Sequence, residues 1–306
     1  HYRAGGSQFG RLSFDYGGEK LRRSTCRQDP EALGQSRSCD IAVESSLEQL
    51  ISRCESLWAA EAEVFATYWT WPRRTRATDQ VWVLRQMYKE LHDGVVAALR
   101  RAHDDVSHVD SVSGRERFRL DMEHMRQEFE HYAGFAQIFE SMRAEGEPRA
   151  SMQMILRDGA WPENDVLMKL RADHCARYGE LGERARRFTE GGYCTLFSEG
   201  RKLAGSSSEL DNQIAAICAR IFDDEFDHML GGIADCIRTD NELRDTEWQL
   251  LTDLTTEQLR QRVYMRNAQF SHPLSPHRVQ RIITGVCEPI PFDYERAFRL
   301  AGHSRN

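Results

Sequence analysis

The chain lacks any Cys-x-x-Cys pair; its 8 cysteines stand apart at Cys26, Cys39, Cys54, Cys175, Cys194, Cys218, Cys236 and Cys287. That spacing excludes a zinc ribbon, a thioredoxin-type motif and a rubredoxin-like iron site. Scattered thiols in a chain of this size read as the reduced cysteines of a cytoplasmic protein. Basic residues are in the minority, 41 Lys plus Arg against 48 Asp plus Glu, for a net charge of −7. The clustered positive footprint of a nucleic-acid binder is therefore missing. No run of 18 apolar residues offers a membrane span, and no basic-then-apolar leader reads as a secretory signal. Prolines are few, 8 in 306 residues, and Pro273, Pro276, Pro289 and Pro291 crowd the last stretch. No strand-period run of note occurs. With 40% hydrophobic residues, the chain can bury a core without staples.

Residues 1–40 are rich in Gly, Ser, Arg and Gln without a sustained period, and read as a flexible tail in which Phe9, Phe14 and Tyr16 are the apolar exceptions. From Ile41 onward, apolar residues recur at spacings of three and four, the signature of amphipathic helices. Polar breaks divide this stretch into helices over about 43–71, 79–104, 114–143, 163–204 and 207–238, with a shorter one near 254–268. The first ends at Trp71-Pro72, because a residue before proline disfavours helix. The fourth opens on Pro162 and carries a kink at Gly191-Gly192. Long helices joined by short loops predict an all-α, up-and-down bundle over residues 41–270, with an irregular C-terminal extension over 271–306.

Two of these helices carry Glu-x-x-His: Glu128 with His131, and Glu225 with His228. Residues three apart on a helix share a face, so each pair can bind one metal ion. With 27 Glu and 11 His, about one such pair arises by chance, so the context has to decide. Glu128 and His131 continue the row of Met125, Phe135 and Phe139; Glu225 and His228 continue Ile217, Ile221 and Gly232. Unpaired charges on a buried face cost several kcal/mol each, a difficulty that a coordinated cation removes.

The other two helices complete the set. Glu90 lies in line with Val83, Met87, Gly94 and Ala97, and Glu190 with Cys194 and Phe197. Glu61, in a row with Leu57, Trp58, Phe65 and Tyr68, competes with Glu90; Glu183 and Glu199 compete with Glu190. The two halves repeat one plan, a Glu on one helix and Glu-x-x-His on the next. Antiparallel packing brings all six groups to one level of the bundle.

This pattern resembles the ferritin-like di-iron carboxylate oxygenases, including the p-aminobenzoate N-oxygenase and ribonucleotide reductase-like group. In them Glu, a gap of roughly thirty residues and Asp-Glu-x-x-His occur twice. Glu190 followed by Asp224-Glu225-Phe226-Asp227-His228 matches fully, whereas Gln127 stands where the first half should have Asp. The resemblance covers residues 79–240. It implies Glu90, Glu128, His131, Glu190, Glu225 and His228 as metal ligands, with His124 a candidate seventh. It also implies that Asp224 orients His131 from the opposite half, and that Gln127 takes the reciprocal place without a charge. Tyr193 and Cys194 are candidate pocket residues; Tyr132 and Tyr193 read otherwise as packing. The aromatic run Trp58, Phe65, Tyr68, Trp69 and Trp71 reads as core, and the basic clusters 73–76 and 184–187 as solvated faces.

The function implied is that of an O2-dependent oxidoreductase that hydroxylates, desaturates or N-oxygenates a small organic substrate. Its cofactor would be two Fe ions or an Mn/Fe pair, since these ligands suit both metals. With no dinucleotide fingerprint and no cysteine cluster, electrons come from an external donor or reductase. The expected partners are O2 and the substrate, with no nucleic acid and no membrane, in a chain that could pair as a homodimer. The alternatives are a ferroxidase or iron-storage protein of the ferritin type, and a helical interaction module without metal.

Overall fold

A computed structural model describes residues 34–238 and 243–302, with side chains from Ser46 onward. The chain divides into two units, His1–Ile41 and Ala42–Asn306. The expected tail, with Phe9, Phe14, Tyr16 and Cys26, lies outside the described residues, apart from helical backbone from Gly34. All packing below belongs to the second unit.

Every regular element among the described residues is helical, with no strand. The chain runs through α1 (Gly34–Trp69), α2 (Arg76–Tyr88), a π-helical turn (Lys89–Val95), α3 (Val96–Asp105) and α4 (Val112–Ser141). After α5 (Met152–Asp158) come α6 (Pro162–Tyr178), α7 (Glu180–Phe188), α8 (Gly191–Arg201) and α9 (Glu209–Arg238). The chain closes with α10 (Asp245–Gln269), α11 (Pro276–Ile283) and α12 (Glu295–Leu300). Among the described residues, no helix is long and apolar enough to cross a membrane.

Local chemistry sets the helix starts. Thr75 caps α2 by accepting from the Thr78 amide, and the Thr78 hydroxyl in turn accepts from the Thr75 amide at 2.9 Å. Ser111 caps α4 and Ser151 caps α5 in the same way. Pro162 and Pro276 occupy first turns, where the missing N–H has no helical partner to lose.

The helix expected over 163–204 is three helices. Gly179 adopts φ 57°, open to glycine and strained for other residues, and separates α6 from α7. A tight turn at Thr189 and Glu190, closed by amide bonds to Arg186 and Arg187, separates α7 from α8. Gly191 and Gly192 follow this turn, and their role is close approach. A Cβ on Gly191 would lie 2.3 Å from the Trp58 ring, and one on Gly192 would lie 2.0 Å from Glu61 Oε1. The helix expected over 79–104 is broken by the π-helical turn, a widened coil that often marks functional sites. The short helix expected near 254–268 is the 25-residue α10. The C-terminal stretch read as irregular holds α11 and α12.

Packing pairs α2 and α3 with α4, α4 with α9, and α7 and α8 with α9, while α10 lies against α6 and α7. The expected aromatic core holds in Trp58, Phe65 and Tyr68, all buried, with Trp82, Phe135 and Phe270 packed edge-on or stacked around them. The basic cluster 184–187 is not a solvated face. Arg184 is buried beside Glu180, Arg186 pairs with Glu183, and Arg187 pairs with Asp235 on α9. The break at Gly179 turns this face of α7 inward.

Candidate metal centre

Six side chains from four stretches of helix gather between α4 and α9. Glu90 comes from the π-helical turn, Glu128 and His131 from α4, Glu190 from the turn before α8, and Glu225 and His228 from α9. Ligand atoms of Glu90, Glu128 and His131, all buried, lie within 4.8 Å of one another; those of Glu190, Glu225 and His228 do likewise. Either set can hold a metal ion. The four glutamates line one cavity of about 130 Å³. Room for the first set is made at Gly94, where a Cβ would sit 2.3 Å from Glu128 Oε2.

The two imidazoles are oriented crosswise. His131 Nε2 donates to Asp224 Oδ2 at 2.8 Å, and its Nδ1 faces Glu90 Oε2 at 3.7 Å. His228 Nε2 donates to Gln127 Oε1 at 3.1 Å, and its Nδ1 faces Glu225 Oε2 at 3.9 Å. Gln127 also donates to Asp224 at 3.4 Å, which joins the two braces. Both rings thus turn Nδ1 toward the carboxylates and hold Nε2 away from them, the pattern by which outer partners fix a metal-binding histidine. His131 Nδ1 and Glu90 Oε1 are buried without a partner. Each such atom costs about 1–3 kcal/mol if left unmet, and a cation between the two would satisfy both.

Metal-free, the site is electrostatically crowded. Burial, together with the neighbouring Glu90 and Glu225, pushes the Glu128 carboxyl well above the usual range. Burial also works to raise Glu90, but the facing His131 imidazole and the Lys89 charge hold it below the ordinary value. Burial opposes the charge on His131, yet Asp224 and Glu90 raise its pKa to about 10. His228, against the same burial, is raised to about 9 by Glu225. The proton that Glu128 takes up, beside imidazoles that keep theirs, is what a multivalent cation would displace.

His124 stands between the sets, with Nε2 3.2 Å from Glu128 Oε1 and its ring 4.9 Å from that of His228. Burial and the nearby His228 and Arg101 lower its pKa to about 4, so it is neutral. It belongs to neither three-residue set. Tyr193 lines the cavity. Cys194 is fully buried and not part of that lining, because one residue along a helix turns a side chain by about 100°. Tyr132 is half-buried beside Phe129, away from the cavity.

The competing glutamates are engaged elsewhere. Glu61 is buried between Arg262 and Arg266 of α10, with Arg266 Nε 2.6 Å from Glu61 Oε2. Glu183 pairs with Arg186, and Glu199 with Lys202. Sequence reasoning missed Lys89, Asp93, Asn164 and Arg171, which also line the cavity. For Arg262 and Arg266 a signal existed: two arginines four apart, flanking Val263 on a helix whose apolar row includes Leu259.

No protein-family model, curated protein or solved structure matches the chain.

Proposed function

We propose that the protein is a ferritin-like, non-haem di-iron oxidoreductase that uses O2 to hydroxylate, desaturate or N-oxygenate a small organic molecule. The observation that carries this reading is the doubled Glu and Glu-x-x-His set around one cavity, its histidines braced crosswise by Asp224 and Gln127. The arrangement of α2–α3, α4, α7–α8 and α9 supports the four-rod bundle of the ferritin-like proteins.

Glu90, Glu128 and His131 would hold one ion, and Glu190, Glu225 and His228 the other. One histidine per ion among carboxylates suits Fe or Mn and leaves positions open. When bound, the two ions supply the redox chemistry for reducing O2. The protein's own part is to orient and exclude. Asp224 and Gln127 fix the imidazoles, Gly94 admits Glu128, and the walls of the cavity limit what reaches the centre. Electrons come from a separate donor. The cavity also carries Lys89, Arg101, Arg171 and Arg186. Arg101 and Arg186 are paired with Asp121 and Glu183, which leaves Lys89 and Arg171 as the cations of the lining without an ion pair among the described residues.

The test is a metal count on protein purified without chelators, with an optical spectrum taken after O2 is added to the reduced, iron-loaded chain. About two ions per chain are expected, as in paired-metal sites. Glu128→Ala and His228→Ala should lose both metal and the O2-dependent spectral change. Full metal content and turnover in both variants defeats the proposal, and a many-subunit cage would favour storage.

A further inference from the structure

Two cations in the wall of the cavity, Lys89 and Arg171, make no ion pair among the described residues. Lys89 is only 6% exposed, and its ammonium meets the Tyr193 ring at 4.2 Å. No acceptor reaches it among the described residues. An ammonium carries three donors, and burying it without a counter-charge is costly. Arg171 gives Nη2 to Thr189 Oγ1 at 2.5 Å, while its Nε is buried with no partner. Among the described residues, neither cation has a carboxylate oxygen within 4.0 Å. Both line the cavity that the four glutamates share.

The surroundings do not supply the missing charge. Arg262 and Arg266 lie over the same Tyr193 ring at 3.8 and 5.2 Å, and both share the single carboxylate of Glu61. Asp93, the remaining acid of the lining, accepts from Asn164 at 2.9 Å and lies 2.9 Å from His92 Nδ1. With the four glutamates of the two sets put aside, Lys89, Arg171, Arg262 and Arg266 stand against Glu61 and Asp93, an excess of two positive charges. By contrast Arg101 and Arg186, also in the lining, have Asp121 and Glu183. Neither Lys89 nor Arg171 forms an ion pair with a glutamate of either set.

We infer that the cavity binds a small organic oxyanion, a carboxylate or a phosphate ester. Its charged oxygens rest on Lys89 and Arg171, and its carbon body lies along Leu167, Met168 and Met265 toward the Glu/His sets. The inference rests on the proposed function in one respect: two divalent ions neutralise the four glutamates and leave the cationic wall without a counter-charge. A guanidinium with an unpartnered Nε and an ammonium without a carboxylate are the donors that oxyanion recognition uses.

The test is calorimetric titration of the full chain, loaded with Zn²⁺ as a redox-inert ion, with benzoate, phenyl phosphate and the neutral analogue benzamide. One of the two anions should bind at least about tenfold more tightly than benzamide, or about 1.4 kcal/mol. The tighter anion identifies the headgroup. Lys89→Met and Arg171→Met should each erase the preference while zinc content stays at the wild-type level. Arg171→Lys, which keeps the charge, should restore most of it. Circular dichroism checks each variant's fold, and the half-buried Arg171 pair decides the matter if Lys89→Met does not fold. Equal binding of anions and benzamide overturns the inference. So does a preference that survives both methionine variants, since the carboxylate would then sit on zinc alone. A chain that takes up no zinc but keeps an anion preference sensitive to Arg171→Met overturns the proposed function and leaves this inference standing.

Discussion

Asp224, the residue before Glu225 on α9, accepts the Nε2 hydrogen of His131 on α4 at 2.8 Å. The brace crosses from one half of the repeat to the other, and Gln127 returns it by accepting from His228 at 3.1 Å. The two braces differ in charge. The His131 hydrogen bond holds the Asp224 carboxyl below its usual range, whereas Gln127 offers only an amide dipole.

Removing each brace should therefore have unequal effects. Asp224→Ala should cost about 10–100-fold in metal affinity, the usual penalty for losing an outer partner of a metal-binding histidine. Gln127→Ala should cost less, because charge-assisted bonds are about twice as strong as neutral ones. Competitive metal titration with a chromogenic chelator measures both, and a larger loss for Gln127→Ala would contradict the arrangement.

Gly94→Ala should separate metal binding from folding. The added methyl meets the Glu128 side chain, at 2.3 Å from Oε2 and 3.1 Å from Cβ, rather than backbone. Glu128 swings away, and metal content falls by about one ion per chain as that set loses a ligand. Melting should shift by no more than about 4 °C, roughly 1 kcal/mol for a domain of this size. Unchanged metal content would show that Glu128 does not need this space.

Gly192→Ala should do the reverse. Its Cβ would lie 2.0 Å from Glu61 Oε1, and that carboxylate is pinned by Arg262 and Arg266. With nothing free to yield, overpacking should destabilise the fold by about 1–3 kcal/mol, read as a lower denaturant midpoint. Wild-type stability in this variant would mean that α1 and α8 can move apart easily.

Glu61→Gln should leave two buried guanidinium groups without a counter-charge, at a cost of about 3–5 kcal/mol. Burial works to raise the Glu61 carboxyl, but the charges and hydrogen bonds of Arg262 and Arg266 hold it below the ordinary range. A lowered folded value contributes stability above the unfolded value of about 4.3, and that contribution is lost as pH falls through the folded value. The difference between wild type and Glu61→Gln should thus be full at neutral pH and shrink in acid. Urea titrations at several pH values check this, and a pH-independent difference would contradict it.

Periodicity alone identified the all-helical class, the aromatic core of α1, and the two Glu-x-x-His faces. These features are legible because helix geometry fixes which side chains share a face, so spacings of three and four already carry them. The partners of the histidines, Asp224 and Gln127, came instead from the resemblance to the di-iron oxygenases. The pairing of Glu90 rather than Glu61 with α4 was left open, because both lie on equally inward rows. Only the fold decided it, by placing Arg262 and Arg266 on Glu61 across 201 and 205 residues of chain.

The division of the expected 163–204 helix was hidden for a related reason. Gly179 fits a helical pattern until tertiary packing draws α6 and α7 onto α10 and α7 onto α9, which favours the left-handed conformation there. The cationic wall of Lys89 and Arg171 had no local signal either, since charged residues on helices usually face water. Sequence specifies which residues share a helical face. Which faces meet, and whether a charge among them finds its counterpart, depends on contacts between distant segments that no local spacing encodes.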